Sequence, residues 1–424
     1  MRFFQTARQI FTLPDLRKRV LYALVLLVIV RVLAHIPLPG VDIESLRNFF
    51  SRNQIFGLLN MFSGGAMENF SIIMMGVGPY ITASIIVQLM TMVIPSLEEL
   101  QKEGESGQQK INYWTRILTV PLAVIQSYSM LALLRNQGIV SSWTIFQLAV
   151  MIISITAGTL LLMWIGELIS ENGIGNGVSL IIALGILAGI PTQIRNTLAV
   201  LDATKVIGLI VFGLIALGAI ILIIYANEGQ RQIPVSYARR IRSLGSYGAV
   251  DTHLPIRVNT AGVIPIIFAM SVMIFPGVAA KFFTQARSEW LAQLASWISN
   301  LFNNNLFYGA LYFVLVIAFT FFYTGIVLKP VQIAENLQKQ SGFIPGVRPG
   351  KETADYLSRI ISRINLTGAV FLGVIAVLPF IVQAVTKINT LVIGGTSVLI
   401  MVSVIIETMR QLQAQLLMRQ YETY

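Results

Sequence analysis

The sequence has no cysteine and few charged residues. With no cysteine in 424 residues, the chain can form no disulfide, thiolate nucleophile or thiolate-held metal site. Only 12% of the residues are charged, whereas roughly a quarter are charged in an ordinary soluble domain. Hydrophobic residues make up 55% of the chain. These proportions exclude a soluble globular protein and indicate one that crosses the membrane several times.

Catalytic motifs are also missing. The chain has two histidines, His35 and His253, and no HExxH, GxSxG or Walker lysine loop. We therefore expect no enzyme, no cofactor and no metal. Ion-coupled transport is disfavoured because coupled transporters carry acidic groups inside their helices, whereas Glu167, Glu171 and Glu407 lie at the ends of apolar segments. Sodium sites built from carbonyls and hydroxyls stay open as an alternative.

The apolar residues form ten runs, each long enough to cross a bilayer as a helix of about 20 residues. The runs lack the period-two alternation of barrel strands, and a helix satisfies its own backbone groups in lipid. The predicted fold class is therefore an all-α polytopic membrane protein. The runs lie near residues 20–38, 70–94, 117–134, 144–166, 178–196, 206–225, 260–280, 306–328, 366–386 and 391–409.

The segment between the fifth and sixth runs divides the ten runs into two sets of five. Because five is odd, the second set must be inverted in the membrane, and inverted repeats commonly place a substrate path at their interface. The expected organisation is a cytoplasmic N-terminus (1–19), an N-terminal half (20–196), a hinge loop (197–205), a C-terminal half (206–410) and a tail (411–424).

Most of the 30 lysines and arginines fall on one side of the predicted membrane, which makes that side and both termini cytoplasmic. Residues 226–259 and 329–363 concentrate these charges in two cytoplasmic loops, which are candidate docking surfaces. Positive loops that only set topology are the common alternative. Here, however, Arg348 lies between Pro345-Gly346 and Pro349-Gly350, which predicts a stiff turn that a topology signal does not need.

Glycines interrupt the apolar pattern at five places. The first is IFGLLNMFSGGAMENFS, residues 55–71, which is too short to span and breaks at Gly64-Gly65 before the second run, taken here to begin at Ser71. By itself this segment favours an interfacial helix or a re-entrant packing element. The others are GVGPYITASIIVQL, GIGNGVSLII, NTAGVIPIIF and GGTSVLIMV. Each alone fits a helix-packing site, but all four stand near helix starts in the two halves.

At these segments the chain resembles the SecY family of protein-translocation channels. The motifs NMFSGGA, PYITASIIVQL, KEGESG, GIGNGVSL, THLPIRVNTAGVIP, FIPGVRPG and GGTSVLI follow the family's order, over Leu16 to Tyr421. The resemblance implies a bacterial plasma-membrane channel that conducts unfolded secretory polypeptides and releases transmembrane segments into lipid. It implies SecE, SecG, the SecA ATPase, the ribosome, signal peptides and nascent chains as partners. The rival interpretation is an inverted-repeat secondary transporter of a small solute.

The resemblance also assigns the pore. It implies a waist of aliphatic side chains, which offer ions no ligands and mould around an extended peptide. The matching positions of this pore ring are Val77, Ile81, Val178, Ile182, Ile267 and Ile400. It further implies a movable plug at about 55–67. The plug positions are Phe56, Leu58, Leu59, Asn60, Met61, Phe62, Gly64 and Gly65.

Two further sets of residues follow from the resemblance. A lateral gate between the second and seventh helices is implied at Thr82, Ser84, Gln88, Gln126, Asn259 and Thr260. Docking of SecA and the ribosome is implied at Arg231, Arg239, Arg240, Arg242 and Arg348. The sequence is less basic than its relatives at Gln108, Gln109, Leu244 and Gly245, which weakens the expectation of docking there.

Overall fold

The computed structural model describes residues 13–39, 41, 46, 60, 63–136, 143–199, 206–237, 250–283, 289–386 and 395–422. Helices dominate it. They are α1 (Pro14–Leu33), α2 (Gly78–Val93), α3 (Pro95–Lys102), α4 (Glu105–Asn136), α5 (Ile145–Asn172), α6 (Gly177–Ala199), α7 (Val206–Glu228), α8 (Ile264–Phe283), α9 (Glu289–Asn303), α10 (Asn305–Val327), α11 (Pro330–Lys339), α12 (Lys351–Thr386) and α13 (Gly395–Glu422). The strands are β1 (Gln230–Tyr237), β2 (Val250–Arg257) and β3 (Gly342–Phe343).

The helical, multi-pass membrane architecture predicted from the sequence is confirmed. Each of the ten apolar runs overlaps one helix. Within the described residues, six helices are long and apolar enough to cross a membrane, or seven if α2 and α3, bent by 102° at Ile94, count as one span. Helix α7 is apolar around its whole circumference and largely exposed, as expected of a helix that contacts lipid. The count of ten crossings stays a prediction.

The second crossing begins later than the sequence suggested. Ser71 does not start a helix: it pairs with Pro37 in an isolated bridge, and residues 63–77 form successive turns. Phe70 has a φ of 47°, which a helix cannot contain. Helix α2 starts only at Gly78, where Pro79 supplies a φ suited to the first helical turn.

The chain divides into two compact units. The first contains residues 1–201, 274–297 and 404–424, and the second contains residues 202–273 and 298–403. In the first unit, a buried cluster around Leu46, Phe70 and Met74 joins the turns before α2 to α4 and α5. In the second unit, α10 packs along α12, and a buried hydrogen bond of 2.8 Å links Thr324 on α10 to Asn365 on α12.

The two predicted docking loops fold together in the second unit. Strand β1 pairs antiparallel with β2, from Gln230 opposite Arg257 to Tyr237 opposite Val250, and β3 pairs with the other edge of β1. The sheet packs on α11 and the start of α12 through a core that includes Ile233, Val235 and Leu357. We call this assembly of β1–β3, α11 and residues 351–363 the hairpin module.

Candidate channel site

Four pore-ring positions lie in the first unit, in two pairs. Val77 caps α2 and Ile81 lies one helical turn later, while Val178 and Ile182 have the same spacing on α6. Residues four apart project from the same side of a helix, so each pair forms one aliphatic stripe. Val77 and Ile182 are buried, whereas Ile81 and Val178 are partly exposed.

The other two positions belong to the second unit. Ile267 is partly exposed on α8, and its carbonyl accepts a hydrogen bond of 2.9 Å from the Ser271 hydroxyl. Ile400 is fully buried on α13. Five of the six residues therefore lie on helices, and the sixth, Val77, lies immediately before α2. Their assembly into a single constriction stays a prediction.

The glycine pair of the plug forms a well-defined turn. Gly64 and Gly65 have φ angles of 71° and 79°, which L-residues rarely adopt. The Gly65 N–H donates to the Asn60 carbonyl at 2.9 Å, and the Asn60 amide group bonds both the backbone and the carboxylate of Glu68. We call Asn60 and residues 63–68 the plug hinge. Phe56, Leu58, Leu59, Met61 and Phe62 lie outside the described residues.

Tight packing fixes the plug hinge against α6. A Cβ placed on Gly64 would lie 2.8 Å from the Cα of Gly185, so only glycine fits at this contact. A small cavity beside the contact is lined by Arg31 of α1, Ser63 and Gly64 of the hinge, and Val77 of the ring. The hinge and one pore-ring residue therefore border the same space.

The predicted gate residues in the first unit form a polar seam. Gln126 on α4 donates to the Thr82 hydroxyl on α2 at 3.5 Å, and Gln88 donates to Ser84 at 3.4 Å. The Gln88 Oε1 atom is buried and has no hydrogen-bond partner in the part of the chain that the structure describes. Both bonds are longer than usual for protein hydrogen bonds.

The gate residues in the second unit have local partners. Asn259 is 7% exposed and donates to Asn227 at 2.7 Å, and Asn227 in turn donates to Ser403 on α13 at 2.8 Å. Thr260 donates to the carbonyl of Arg257 at 2.8 Å. Asn227 and Asn259 stand just outside the two ends of the β1–β2 hairpin, so this amide network ties the base of the hairpin module to α13.

The cations of the predicted docking surfaces have different environments. Arg231 on β1 and Arg348 between β3 and α12 are exposed, and neither forms an ion pair within the described residues. The Arg348 carbonyl accepts a hydrogen bond of 2.8 Å from the Thr353 hydroxyl, which fixes the turn. Arg239, Arg240 and Arg242 lie outside the described residues, as do Leu244 and Gly245.

In the segment after α2, by contrast, the cations are paired. Lys102 contacts Glu98 at 2.8 Å, and the hydrogen bond that Lys102 donates to this carboxylate raises the pKa of Lys102. Two further ion pairs follow, Lys110–Glu103 at 3.2 Å and Arg116–Glu167 at 2.7 Å. Gln108 bonds Asn112 at 3.1 Å, and its neighbour Gln109 is exposed. This segment therefore presents less unpaired positive charge than the hairpin module.

Sequence reasoning missed two contacts that shape the site. The strands of the hairpin module are marked in the sequence by alternation, since Ile233 and Val235 are buried while Gln232 and Pro234 are exposed. Alternation of this kind predicts a half-buried strand from the sequence alone. The bond from Arg31 to the plug hinge joins residues 33 apart and leaves no local signal.

Known sequences are similar to this chain over most of its length. A family model of SecY matches residues 71–409. Protein translocase subunit SecY of Mycobacterium bovis is 41% identical over 435 aligned residues, which cover 97% of each chain. Protein translocase subunit SecY of Streptomyces coelicolor is 42% identical, with 98% of each chain covered.

Solved structures show the same fold. A protein-conducting channel superposes with a TM-score of 0.64 at 18% identity, over 93% of this chain and 91% of that one. Sec61 in a canine ribosome–channel complex from the endoplasmic reticulum gives a TM-score of 0.59 at 18% identity, with the same coverage. On the strength of the family match and of two relatives aligned over nearly their whole lengths, the chain belongs to the SecY family.

Proposed function

We propose that the chain is the central channel subunit of a Sec protein translocase and conducts unfolded secretory polypeptides across the membrane. One observation carries the proposal: the chain is 41% identical, over 97% of its length, to translocase subunits of the same family. An alignment that extends over both units favours a shared function more than a shared fold alone does.

The aliphatic stripes on α2 and α6 support a role in sealing the channel. Valine and isoleucine offer no ligands to an ion, so a narrow ring of them favours dewetting and blocks small ions. The same flexible side chains can surround an extended polypeptide, whatever its sequence. In this proposal Val77, Ile81, Val178, Ile182, Ile267 and Ile400 form the ring, and the plug seats against it at rest.

Lateral release of apolar segments would occur along the polar seam of α2. Hydrogen bonds between membrane helices contribute only about 1 kcal/mol each, so an inserting signal peptide can replace them. The long Gln126–Thr82 bond fits such a seam, as does the Gln88 oxygen, which has no partner among the described residues. On the opposite side of the gate we propose Asn259 and Thr260, with the Asn259 amide nitrogen bonded to Asn227.

The proposed partners follow from charge and from the absence of an energy source in the chain. SecA would supply ATP hydrolysis, since the sequence contains no nucleotide-binding loop. SecA and the ribosome would dock on the hairpin module, where Arg231 and Arg348 are exposed and form no ion pair with any residue that the structure describes. Contact with ribosomal phosphate would be salt-sensitive. SecE and SecG would complete a complex in a bacterial plasma membrane, with both termini of the chain in the cytoplasm.

The rival function, secondary transport of a small solute, has little to support it. Such transporters bind their substrate near mid-membrane through polar groups or half-helix ends. In this chain the corresponding positions are aliphatic, and relatives that are 41% and 42% identical over nearly their whole lengths are translocase subunits.

Planar-bilayer recording tests the proposed function. We expect the purified complex to be nearly silent at rest and to conduct ions after deletion of residues 57–67, because the deletion removes the plug. A control deletion in the predicted tail, residues 419–424, should leave the bilayer sealed. Saturable solute flux, with no rise in conductance after the 57–67 deletion, would contradict the proposal.

A further inference from the structure

We propose that Arg31 is a positioning residue that holds the plug hinge closed in the resting channel. This inference rests on the proposed function, because it assigns a role to a contact of the plug. It concerns a single guanidinium in the last turn of α1, a helix whose other residues near this point are apolar.

The contact itself is short and direct. The Arg31 Nη1 atom donates to the carbonyl of Gly64 at 2.7 Å. Hydrogen bonds from an ionised donor are shorter and stronger than those between neutral groups, and this one has the length of a charge-assisted bond. No carboxylate pairs with Arg31 among the residues that the structure describes. Among those residues, the hinge carbonyl is the acceptor that compensates the charge.

Two simpler roles for Arg31 fit the structure less well. A topology signal would lie in a loop, and a snorkelling side chain would extend toward interfacial water. The Arg31 side chain instead borders the small cavity that Ser63, Gly64 and Val77 also line. A cation in an apolar helix is costly, and where one is retained it commonly has a functional contact.

The conformation of Gly64 makes the contact specific to the closed hinge. With a φ of 71° and its Cα packed on Gly185, Gly64 directs its carbonyl toward α1. If the plug swings away, this carbonyl leaves and the guanidinium loses its acceptor inside an apolar region. Loss of this hydrogen bond therefore raises the free energy of the open plug. The bond shifts the equilibrium toward the closed plug.

Thiol labelling of the hinge tests the inference. The chain has no native cysteine, so an Ala66→Cys substitution gives a single reporter at a hinge residue that is 0% exposed. We would reconstitute the full complex and measure the labelling rate with a water-soluble maleimide. In the Arg31→Met background we expect a rate at least about tenfold higher, because loss of a charge-assisted bond shifts the open population by that order.

Matched variants separate the bond from other effects. Arg31→Lys keeps the charge and one donor but loses the planar fork, so its rate should lie between those of the wild type and Arg31→Met. Arg135→Met removes an exposed cation from the last turn of α4 and should leave the rate unchanged. Equal rates in all four backgrounds, or an equal rise in Arg31→Met and Arg135→Met, would overturn the proposal.

The thiol-labelling result does not depend on protein transport. Labelling reports hinge opening without a motor or a substrate, so unchanged labelling in a complex that translocates normally refutes only the role of Arg31. A complex that neither translocates nor conducts after the 57–67 deletion refutes the proposed function instead. Failure of Arg31→Met to fold would be shown by aggregation in size-exclusion chromatography. In that case Arg31→Lys is the test, and a labelling rate equal to that of the wild type in this variant refutes the proposed role of Arg31.

Discussion

Single polar residues in apolar helices, or just before them, determine much of the local geometry of this protein. Asn259, which the family resemblance implies for the gate, has its side chain buried against Asn227, and Asn227 in turn bonds Ser403. Arg31 had no assigned partner, and it bonds the plug hinge. In both cases the residue type signalled importance, because buried polar groups need partners. The partner itself depends on tertiary structure, and the sequence could not supply it.

Arg348 is an exposed cation in the turn that precedes α12. Changing Arg348 to Glu should abolish SecA-driven import into vesicles, because the charge reversal falls on an unpaired cation fixed in a turn. The variant should still insert stably, since exposed substitutions usually change stability by less than about 0.5 kcal/mol. Import of a signal-bearing substrate and the amount of inserted protein are the two measurements.

Lys102→Glu is the matched control for Arg348→Glu. It makes the same change of charge, but Lys102 is already paired with Glu98 and lies outside the hairpin module. We expect import to persist in this variant. Normal import with Arg348→Glu, or an equal loss in both variants, would remove the docking role of Arg348.

At the scale of elements, the hairpin module is the main feature that sequence reasoning did not assemble. The two basic loops were predicted as separate surfaces. They form one three-stranded sheet on α11 and α12, with a shared core that includes Ile233 and Leu357. These contacts join residues more than one hundred positions apart, so hydropathy and turn signals could not reveal them. A partner that docks here meets one folded surface and not two flexible loops.

The base of the module rests on helix α12 at a glycine. A Cβ on Gly368 would lie 2.5 Å from the carbonyl oxygen of Val258, which follows β2. Gly368→Ala should therefore push the hairpin away from α12 and destabilise the protein by about 1–3 kcal/mol, the usual effect of overpacking. Thermal unfolding of the detergent-solubilised complex measures the effect.

Gly325→Ala on α10 is the control for this packing prediction. An added Cβ there meets nothing within 4 Å, and alanine favours a helix over glycine by about 1 kcal/mol. The control should be neutral or slightly stabilising. If Gly368→Ala unfolds at the same temperature as Gly325→Ala, the close contact between the hairpin and α12 is not tight in solution.

At the scale of the whole molecule, the sequence predicted the class of fold well. Bilayer thickness imposes a minimum length on every apolar run, and that constraint is local, so each of the ten runs overlaps a helix. The predicted start of the second crossing, Ser71, was wrong, because α2 begins only at Gly78. Phe70 adopts a left-handed conformation that the hydropathy pattern does not reveal. Most plug positions lie outside the described residues, and the plug stays a prediction.

The pore ring shows the other limit of sequence reasoning. Taken one at a time, Val77, Ile182 and Ile400 are ordinary buried aliphatic residues. Only the ordered series of family motifs distinguished them from core or lipid-facing positions. Physical chemistry explains how such a ring seals, but composition and periodicity could not select its six members from the many valines and isoleucines of the chain.

Protease protection tests most directly whether a polypeptide passes through this protein. The complex would be reconstituted in vesicles with a SecA-type ATPase and ATP, and an unfolded, signal-bearing substrate would be added outside. We predict that the substrate becomes resistant to external protease only when ATP is present, and that it is digested once detergent opens the vesicles. Substrate that stays fully digestible, in vesicles that nevertheless accumulate a small solute saturably, would contradict it.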